Sequence, residues 1–200
     1  MTTTTPDRRL LIVDSAIDLI AAQGFRALTH RALDTALELP AGSTSYYFRT
    51  KRALVEAIVD RIATRSRTDF ATGNSSGELP KAGPASADAI AHGIATWLDR
   101  LLAQRRNHLI VRHALIVELL GDTELHEKLI GCLFSQQHAT GLFSALGATS
   151  PEATAADFIA VIEGLIFDRF AGARTELAPG TPESVAQLAR VLSTQLKAAA

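Results

Sequence analysis

Residues 28–54 read Leu28-Thr-His-Arg-Ala-Leu-Asp-Thr-Ala-Leu-Glu-Leu-Pro-Ala-Gly-Ser-Thr-Ser-Tyr-Tyr-Phe-Arg-Thr-Lys-Arg-Ala-Leu54. Thr29 is a good N-cap, and Leu33 and Leu37 give a short helix from His30 to Leu37 its apolar stripe. Glu38 and Leu39 make a tight turn, Pro40 opens a second short helix, and Thr50 caps a third. The middle helix carries Ser43, Thr44, Ser45, Tyr46 and Tyr47 where a core helix carries aliphatics, and Arg49, Lys51 and Arg52 follow. Hydroxyls and tyrosines beside cations suit a polynucleotide backbone, and helix-turn-helix spacing lets such a helix enter the major groove. A helical hairpin with a solvated polar face is the alternative from spacing alone.

Within this unit the side chains divide by reach. The small residues Ala41, Gly42, Ser43 and Thr44 allow close approach to base edges, and the hydroxyls and threonine methyl offer contacts there. Tyr46, Tyr47, Thr29 and Lys51 can donate to phosphate oxygens, Lys51 with the help of a helix N-terminus. Arg31 can reach either a phosphate or a base. Gly42, placed inside the helix, costs about 1 kcal/mol against alanine, a cost that a close neighbour would justify.

Working outward, Leu10, Val13, Ile17 and Ile20 recur at helical spacing before Gly24, a C-terminal stop. Residues 1–6 read as a disordered polar arm. After Thr50, a helix with Leu54, Ile58 and Ile62 on one face runs to about Phe70. Residues 72–86 are rich in Gly, Pro, Ser and Asn and read as a flexible linker. Helices are expected over 87–104, 107–120, 123–146 (kinked at Gly131 and Gly141), 152–174 and 183–196, with no convincing strand. The expectation is an all-α fold of about nine helices.

Bulk composition agrees with a folded helical chain. Of 200 residues, 47% are hydrophobic, enough for a core, and only 20% are charged. The net charge is −1, but residues 1–67 carry +3 and the remainder −4, so the basic excess lies with the polar helix. One cysteine, Cys132, rules out an intramolecular disulfide and any zinc site built on several thiolates. No signal peptide precedes the first helix, and no run reaches the ~18 apolar residues of a membrane span. A cytoplasmic protein without membrane association is expected. The six histidines show no metal spacing, and neither a phosphate loop nor a nucleophile elbow occurs. No metal, no cofactor and no catalytic residue is therefore expected.

At Ile17-Asp-Leu-Ile-Ala-Ala-Gln-Gly-Phe25, Thr29, Leu39-Pro-Ala-Gly-Ser-Thr-Ser-Tyr-Tyr-Phe48 and Lys51-Arg-Ala-Leu54 the chain resembles the TetR family of bacterial transcriptional regulators. The resemblance covers roughly residues 8–62 by motif. It departs at Leu37-Glu38, where the family usually has Ala-Gly, and at Thr44-Ser45, where it usually has Leu-Tyr. An aromatic-His pair usually follows, where this chain has Tyr46-Tyr47. It implies a helix-turn-helix DNA-binding domain over residues 1–52, with the fourth helix (about 51–70) as connector. It also implies a helical effector-binding and dimerisation domain over 53–200. The implied protein is a homodimeric repressor, not an enzyme, that holds near-palindromic double-stranded operator DNA and releases it when a small-molecule inducer binds. Thr29, Tyr46, Tyr47 and Lys51 would then grip phosphates, with Arg31, Ser43 and Thr44 nearest the bases.

The remaining expectations concern the C-terminal helices. The 152–174 helix is apolar nearly all round, so it should be buried on two sides, the second by another subunit. Phe158, Ile162, Leu165, Ile166 and Phe170, with Leu188, Val191 and Leu192 of the last helix, are the expected dimer interface. Polar and aromatic residues within apolar stretches are pocket candidates: Trp97, His108, Arg112, His113, Phe134, His138, Glu163 and Phe167. Two other readings fit the same chain. One is a small helical enzyme or ligand carrier with a helix-turn-helix-like N-terminus. The other is a constitutive DNA-binding protein without an inducer.

Overall fold

The computed structural model describes residues 7–75 and 86–199. The expected polar arm and most of the expected linker lie outside the described residues. Ten α-helices and one 3-10 turn make up the described chain, and no strand occurs among those residues. They are α1 Arg8–Gln23, the 3-10 turn Phe25–Ala27, α2 His30–Ala36, α3 Ser43–Tyr47 and α4 Lys51–Ser75. Then come α5 Ala87–Gln104, α6 Arg106–Glu118, α7 Thr123–Ile130, α8 Gln136–Ala145, α9 Pro151–Ala171 and α10 Pro182–Ala198. None is long and apolar enough to cross a membrane.

Local chemistry sets most of these boundaries. Gly24 ends α1 at φ 82°, and its N–H donates to the Ile20 carbonyl. The Thr29 hydroxyl caps α2 by accepting the Ala32 N–H at 3.1 Å. Thr50 does the same for α4 through Ala53 N–H, and Ser86 and Thr181 for α5 and α10. The helix expected over 123–146 is two helices, which raises the count from nine to ten. Residues 131–135 leave the helical path, and Ser135 starts α8 afresh, its Oγ accepting the His138 N–H at 3.2 Å.

The described chain packs as two compact units. One comprises the described residues of Met1–Arg65 with Ile110–Ile130. Its core gathers Ile12, Ile17 and Ile20 of α1, Leu28, Leu33, Phe48, and Leu54 and Ile58 of α4, all essentially inaccessible. Leu115 and Leu129 bring α6 and α7 into the same unit. Arg112 is 1% exposed and donates to the Leu129 carbonyl at 2.9 Å, so a charged side chain closes the C-terminal end of α7. Arg52 bridges α4 to Asp122, which in turn accepts the Leu125 N–H in the first turn of α7. Lys128 meets Asp60 at 3.3 Å.

The other unit comprises the described residues of Ser66–Leu109 with Gly131–Ala200. Here α10 packs along α5, and α8 along α9. The core holds Trp97, Leu98, Phe143, Phe158, Ile166 and Leu192. A buried polar cluster ties its end together. Asp99 accepts the Gly180 N–H at 2.9 Å and the Ser184 hydroxyl, while Arg169 donates to Ser184 Oγ at 2.7 Å and to the Leu177 carbonyl. Burial pushes the Arg169 pKa down, and Asp99 opposes that shift.

This packing commits six of the eight residues expected at the dimer face to the chain's own core. Phe158, Ile162, Leu165, Ile166, Leu188 and Leu192 are buried in the chain's own core, and Phe170 and Val191 pack against it. α9 is apolar nearly all round because α8 and the α5/α10 pair cover different sides of it. Its exposed positions are mostly small, Ala153, Ala156, Ala160, Gly164 and Ala171, with Phe167 among them and the acidic Glu152 and Asp157 toward the N-terminal end.

Candidate nucleic-acid interface and effector cavity

The polar helix of the first unit is five residues long, too short to hold its own shape in water. What fixes it is a carboxylate ten residues upstream. Asp34 on α2 is 5% exposed. It accepts the Thr44 N–H at 2.8 Å and the Thr44 hydroxyl at 2.7 Å, while its other oxygen takes the Gly42 N–H at 2.8 Å. Asp34 therefore satisfies two of the backbone donors that a helix N-terminus leaves open. The Thr44 hydroxyl bond holds the Asp34 pKa below its ordinary 3.8; burial opposes this, and the two N–H bonds and His30 reinforce it.

The clamp overturns one expected contact. Thr44 is 0% exposed and its hydroxyl is committed to Asp34, so it cannot face a base. Gly42 is not inside the helix but precedes it at φ 89°, a left-handed conformation that suits glycine. A Cβ there would meet nothing within 4 Å, so backbone conformation, and not a close neighbour, explains the residue. Ala41 lies in the same turn. Glu38 takes φ 52°, the one non-glycine at positive φ among the described residues.

The other interface candidates stand at or near the surface of this unit. Thr29, Arg31, Ala41, Gly42 and Lys51 are exposed, Ser43 and Tyr47 are half-buried, and Tyr46 is 81% exposed. Ser43 donates its hydroxyl to the Pro40 carbonyl at 2.6 Å, which leaves it an acceptor only. Ser45 is exposed on α3. Lys51 Nζ sits 4.4 Å from the Phe25 ring centroid, a cation–π seat that restrains a long side chain at the first turn of α4. Arg9 stacks 4.2 Å over Phe48 and donates to the Tyr47 carbonyl at 2.9 Å, closing the other end of α3. Arg9 is not among the expected site residues; its separation of 38 residues from Tyr47 carries no sequence signal.

The second unit contains a cavity of about 490 Å³. Three expected pocket residues, Trp97, Phe134 and His138, line it. Phe70 stands at the centre of an aromatic wall, edge-to-face with Trp97 (6.1 Å) and His138 (4.9 Å), and Trp97 continues to Phe134 (6.1 Å). Asn74, Ser135 and Gln137 are its other polar contributors. Phe158 and Ile162, expected at a subunit interface, are walls of the cavity.

The remaining pocket candidates are elsewhere. Arg112 closes α7 in the first unit, His108 and His113 stand on α6, and Glu163 is half-buried on α9, none of them lining the cavity. Phe167 is 48% exposed and edge-to-face with Phe170. Alternation along α9 decides this: Phe158 and Ile162 face inward, and Phe167 lies on the opposite stripe. Among the described residues no cluster of His, Cys, Asp or Glu could hold a metal.

Comparisons with known proteins address both regions. The family model described as "Bacterial regulatory proteins, tetR family" matches residues 12–58. That described as "Tetracyclin repressor-like, C-terminal domain" matches residues 85–195. No curated protein was found to match. Among solved structures, the chain is similar to a member of the TetR family from Streptomyces coelicolor A3, at 21% identity and TM-score 0.69, over 95% of this chain and 98% of that one. It is similar to a transcriptional regulator from Rhodococcus sp. Rha1, at 17% identity and TM-score 0.72, over 96% of each chain. It also shares its fold with the multidrug binding protein EbrR complexed with ethidium, at 22% identity and TM-score 0.61, over 94% of this chain and 98% of that one. With one family model on the helix-turn-helix and another spanning more than half of the chain, the protein belongs to the TetR family of DNA-binding helix-turn-helix transcriptional regulators, which are not enzymes.

Proposed function

We propose that the chain is a ligand-responsive repressor, cytoplasmic and homodimeric, that binds a near-palindromic operator and releases it when a small molecule enters the cavity. The supporting observation is the reach of α4. One helix of 25 residues carries Lys51 in its first turn and the cavity residues Phe70 and Asn74 in its last two. A ligand that binds one position of Phe70 better than another must shift the equilibrium of the helix that presents Lys51. On this reading, DNA binding belongs to residues 1–52, with Thr29, Tyr46, Tyr47 and Lys51 on phosphates. Effector binding and dimerisation belong to residues 53–200. Arg31, Ser43 and the exposed Ser45 stand nearest the bases, Ser45 taking the place first assigned to Thr44.

Dimerisation is read from α9. Its exposed Ala160, Gly164 and Ala171, C-terminal to the exposed Asp157, allow a second helix to approach closely, and the half-exposed Phe167 supplies apolar area. A two-fold pair would set two α3 helices about 34–36 Å apart, one turn of B-DNA. The ligand-binding side agrees with EbrR, a multidrug binding protein of the same fold.

Gly164→Arg tests the assembly cleanly, because a Cβ at Gly164 meets nothing within 4 Å and the protomer should fold as before. Sedimentation should then give a monomer, and gel shifts with DNA from upstream of the chain's own gene should lose the specific complex. A dimer that persists and still binds would place the subunit contact elsewhere. Wild-type protein that binds no DNA in a sequence-specific, salt-sensitive way would refute the proposal.

A further inference from the structure

Four long cations of the first unit are held in two different ways. Arg52 and Arg61 are committed to carboxylates. Arg52 pairs with Asp122 and, at 2.9 Å, with Glu56, and Arg61 makes two bonds of 2.8 Å to Asp14. A phosphate would have to break these pairs before using either cation. Lys51 and Arg9 rest instead on aromatic rings. Lys51 Nζ is 4.4 Å from the Phe25 centroid, and the Arg9 guanidinium is 4.2 Å from that of Phe48. A ring restrains a long side chain without cancelling its charge. A cation so seated stays fully charged, and little of its freedom remains to be lost when an anion arrives.

Arg9 is also in the right place. It is exposed in the first turn of α1, and its Nη1 donates to the Tyr47 carbonyl at 2.9 Å, at the end of α3. Tyr47 is edge-to-face with Tyr46 at 5.3 Å, and Tyr46 is 81% exposed. These are the two tyrosines read above as phosphate contacts. The bond to the Tyr47 carbonyl therefore fixes the guanidinium beside the stretch of DNA backbone they would hold. A guanidinium has five N–H donors in a planar fork, and the Tyr47 carbonyl engages only one edge of it. The donors left over can meet two oxygens of one phosphate, a bidentate contact that lysine cannot make. Asp7, two residues away, is engaged at the backbone, where it accepts the Arg9 N–H at 2.9 Å and caps α1.

We infer that Arg9 is a further phosphate grip, carried by α1 outside the helix-turn-helix and set in place by the Phe48 ring and the Tyr47 carbonyl; this rests on the placement of α3 in the groove proposed above. Three substitutions separate its charge from its support of α3. Arg9→Gln keeps an amide donor for the Tyr47 carbonyl and removes the charge. Arg9→Lys keeps the charge and the ring seat. Arg9→Ala removes everything. All three change an exposed side chain, so thermal melts should stay close to wild type.

The full-length chain is titrated by anisotropy into DNA from upstream of its own gene and into a random duplex, across a range of salt concentrations. Arg9→Gln should weaken both duplexes alike, by roughly three- to tenfold at low salt, and lower the salt slope by about 1. Arg9→Lys should keep the wild-type slope. Arg9→Ala should show the lowered slope and also a smaller ratio of specific to random binding, because α3 then loses its tie to α1. A wild-type slope in Arg9→Gln would overturn the phosphate assignment, and so would a slope lowered equally in Arg9→Lys. If Lys51→Ala lowers the slope and Arg9→Gln does not, the Arg9 grip fails and the DNA-binding reading stands. Wild-type protein that binds neither duplex would overturn both.

Discussion

Removing the Asp34 carboxylate tests whether the orientation of the recognition helix depends on one buried group. Asp34→Ala deletes three acceptor contacts, to Gly42 N–H, Thr44 N–H and Thr44 Oγ–H. Gly42 is exposed and its N–H can turn to water, so its loss costs little. Thr44 is 0% exposed, and each of its two donors, left unpaired, costs about 1–3 kcal/mol. The hydroxyl can rotate in search of another acceptor, which brings the total to about 2–4 kcal/mol. Asp34→Asn keeps the shape and one acceptor oxygen but turns an amide NH2 toward an N–H donor, so about 1–2 kcal/mol is expected. The assay is hydrogen exchange at the Thr44 amide together with anisotropy titrations on operator and random duplexes. Asp34→Ala should lose Thr44 protection and weaken operator binding more than random binding, because a misoriented α3 loses base contacts before phosphate contacts. The pH dependence has a definite sign. Asp34 has a lowered pKa in the folded chain, so its contribution is fully present above the ordinary 3.8 and is lost as pH falls through the lowered value. Between about pH 5 and 8 the wild type and Asp34→Asn should therefore differ by a constant amount. Retained Thr44 protection in Asp34→Ala, with an unchanged ratio of operator to random binding, would refute the clamp.

Lys51→Ala should weaken binding on all sequences about equally and lower the salt slope by about 1, measured by titration across salt concentrations. The two left-handed positions beside α3 predict opposite changes in thermal melts. Gly42→Ala at φ 89° should cost about 1–2 kcal/mol, a fall of roughly 2–8 °C. Glu38→Gly at φ 52° should gain about 0.5–1 kcal/mol, the relief of strain exceeding the added chain entropy. In the second unit, Asp99→Ala should cost about 3 kcal/mol in urea melts, because it strands the charge of Arg169, itself 5% exposed, and frees the Ser184 hydroxyl.

The recognition helix shows how much a sequence can say about an interface and where it goes silent. Hydroxyls, tyrosines and trailing cations mark residues 43–52 as polar and exposed, and most of them are. The signal fails at Thr44 because burial of a threonine depends on its partner. Asp34 lies one turn and one helix away, and aspartate on a short amphipathic helix is most often solvent-facing. The burial of most expected dimer-face residues within the chain's own core has a related reason. Periodicity shows that α9 is apolar on nearly all sides, but not which side meets α8, which meets the α5/α10 pair and which is left over.

Sequence alone determined most of the helices and the caps at Thr29, Thr50 and Gly24, since these residues act on donors and acceptors within four residues of themselves. It also determined the family resemblance of the N-terminal motif, which is carried by contiguous residues. Tertiary structure decided which hydroxyls are free, which aromatic rings converge on a cavity and which face of α9 is left exposed. Those outcomes depend on contacts across ten to more than a hundred residues, such as Asp34 with Thr44 or Ser193 with Asp88. Burial and pairing of a polar group are properties of what folds against it, and no local pattern encodes its partner.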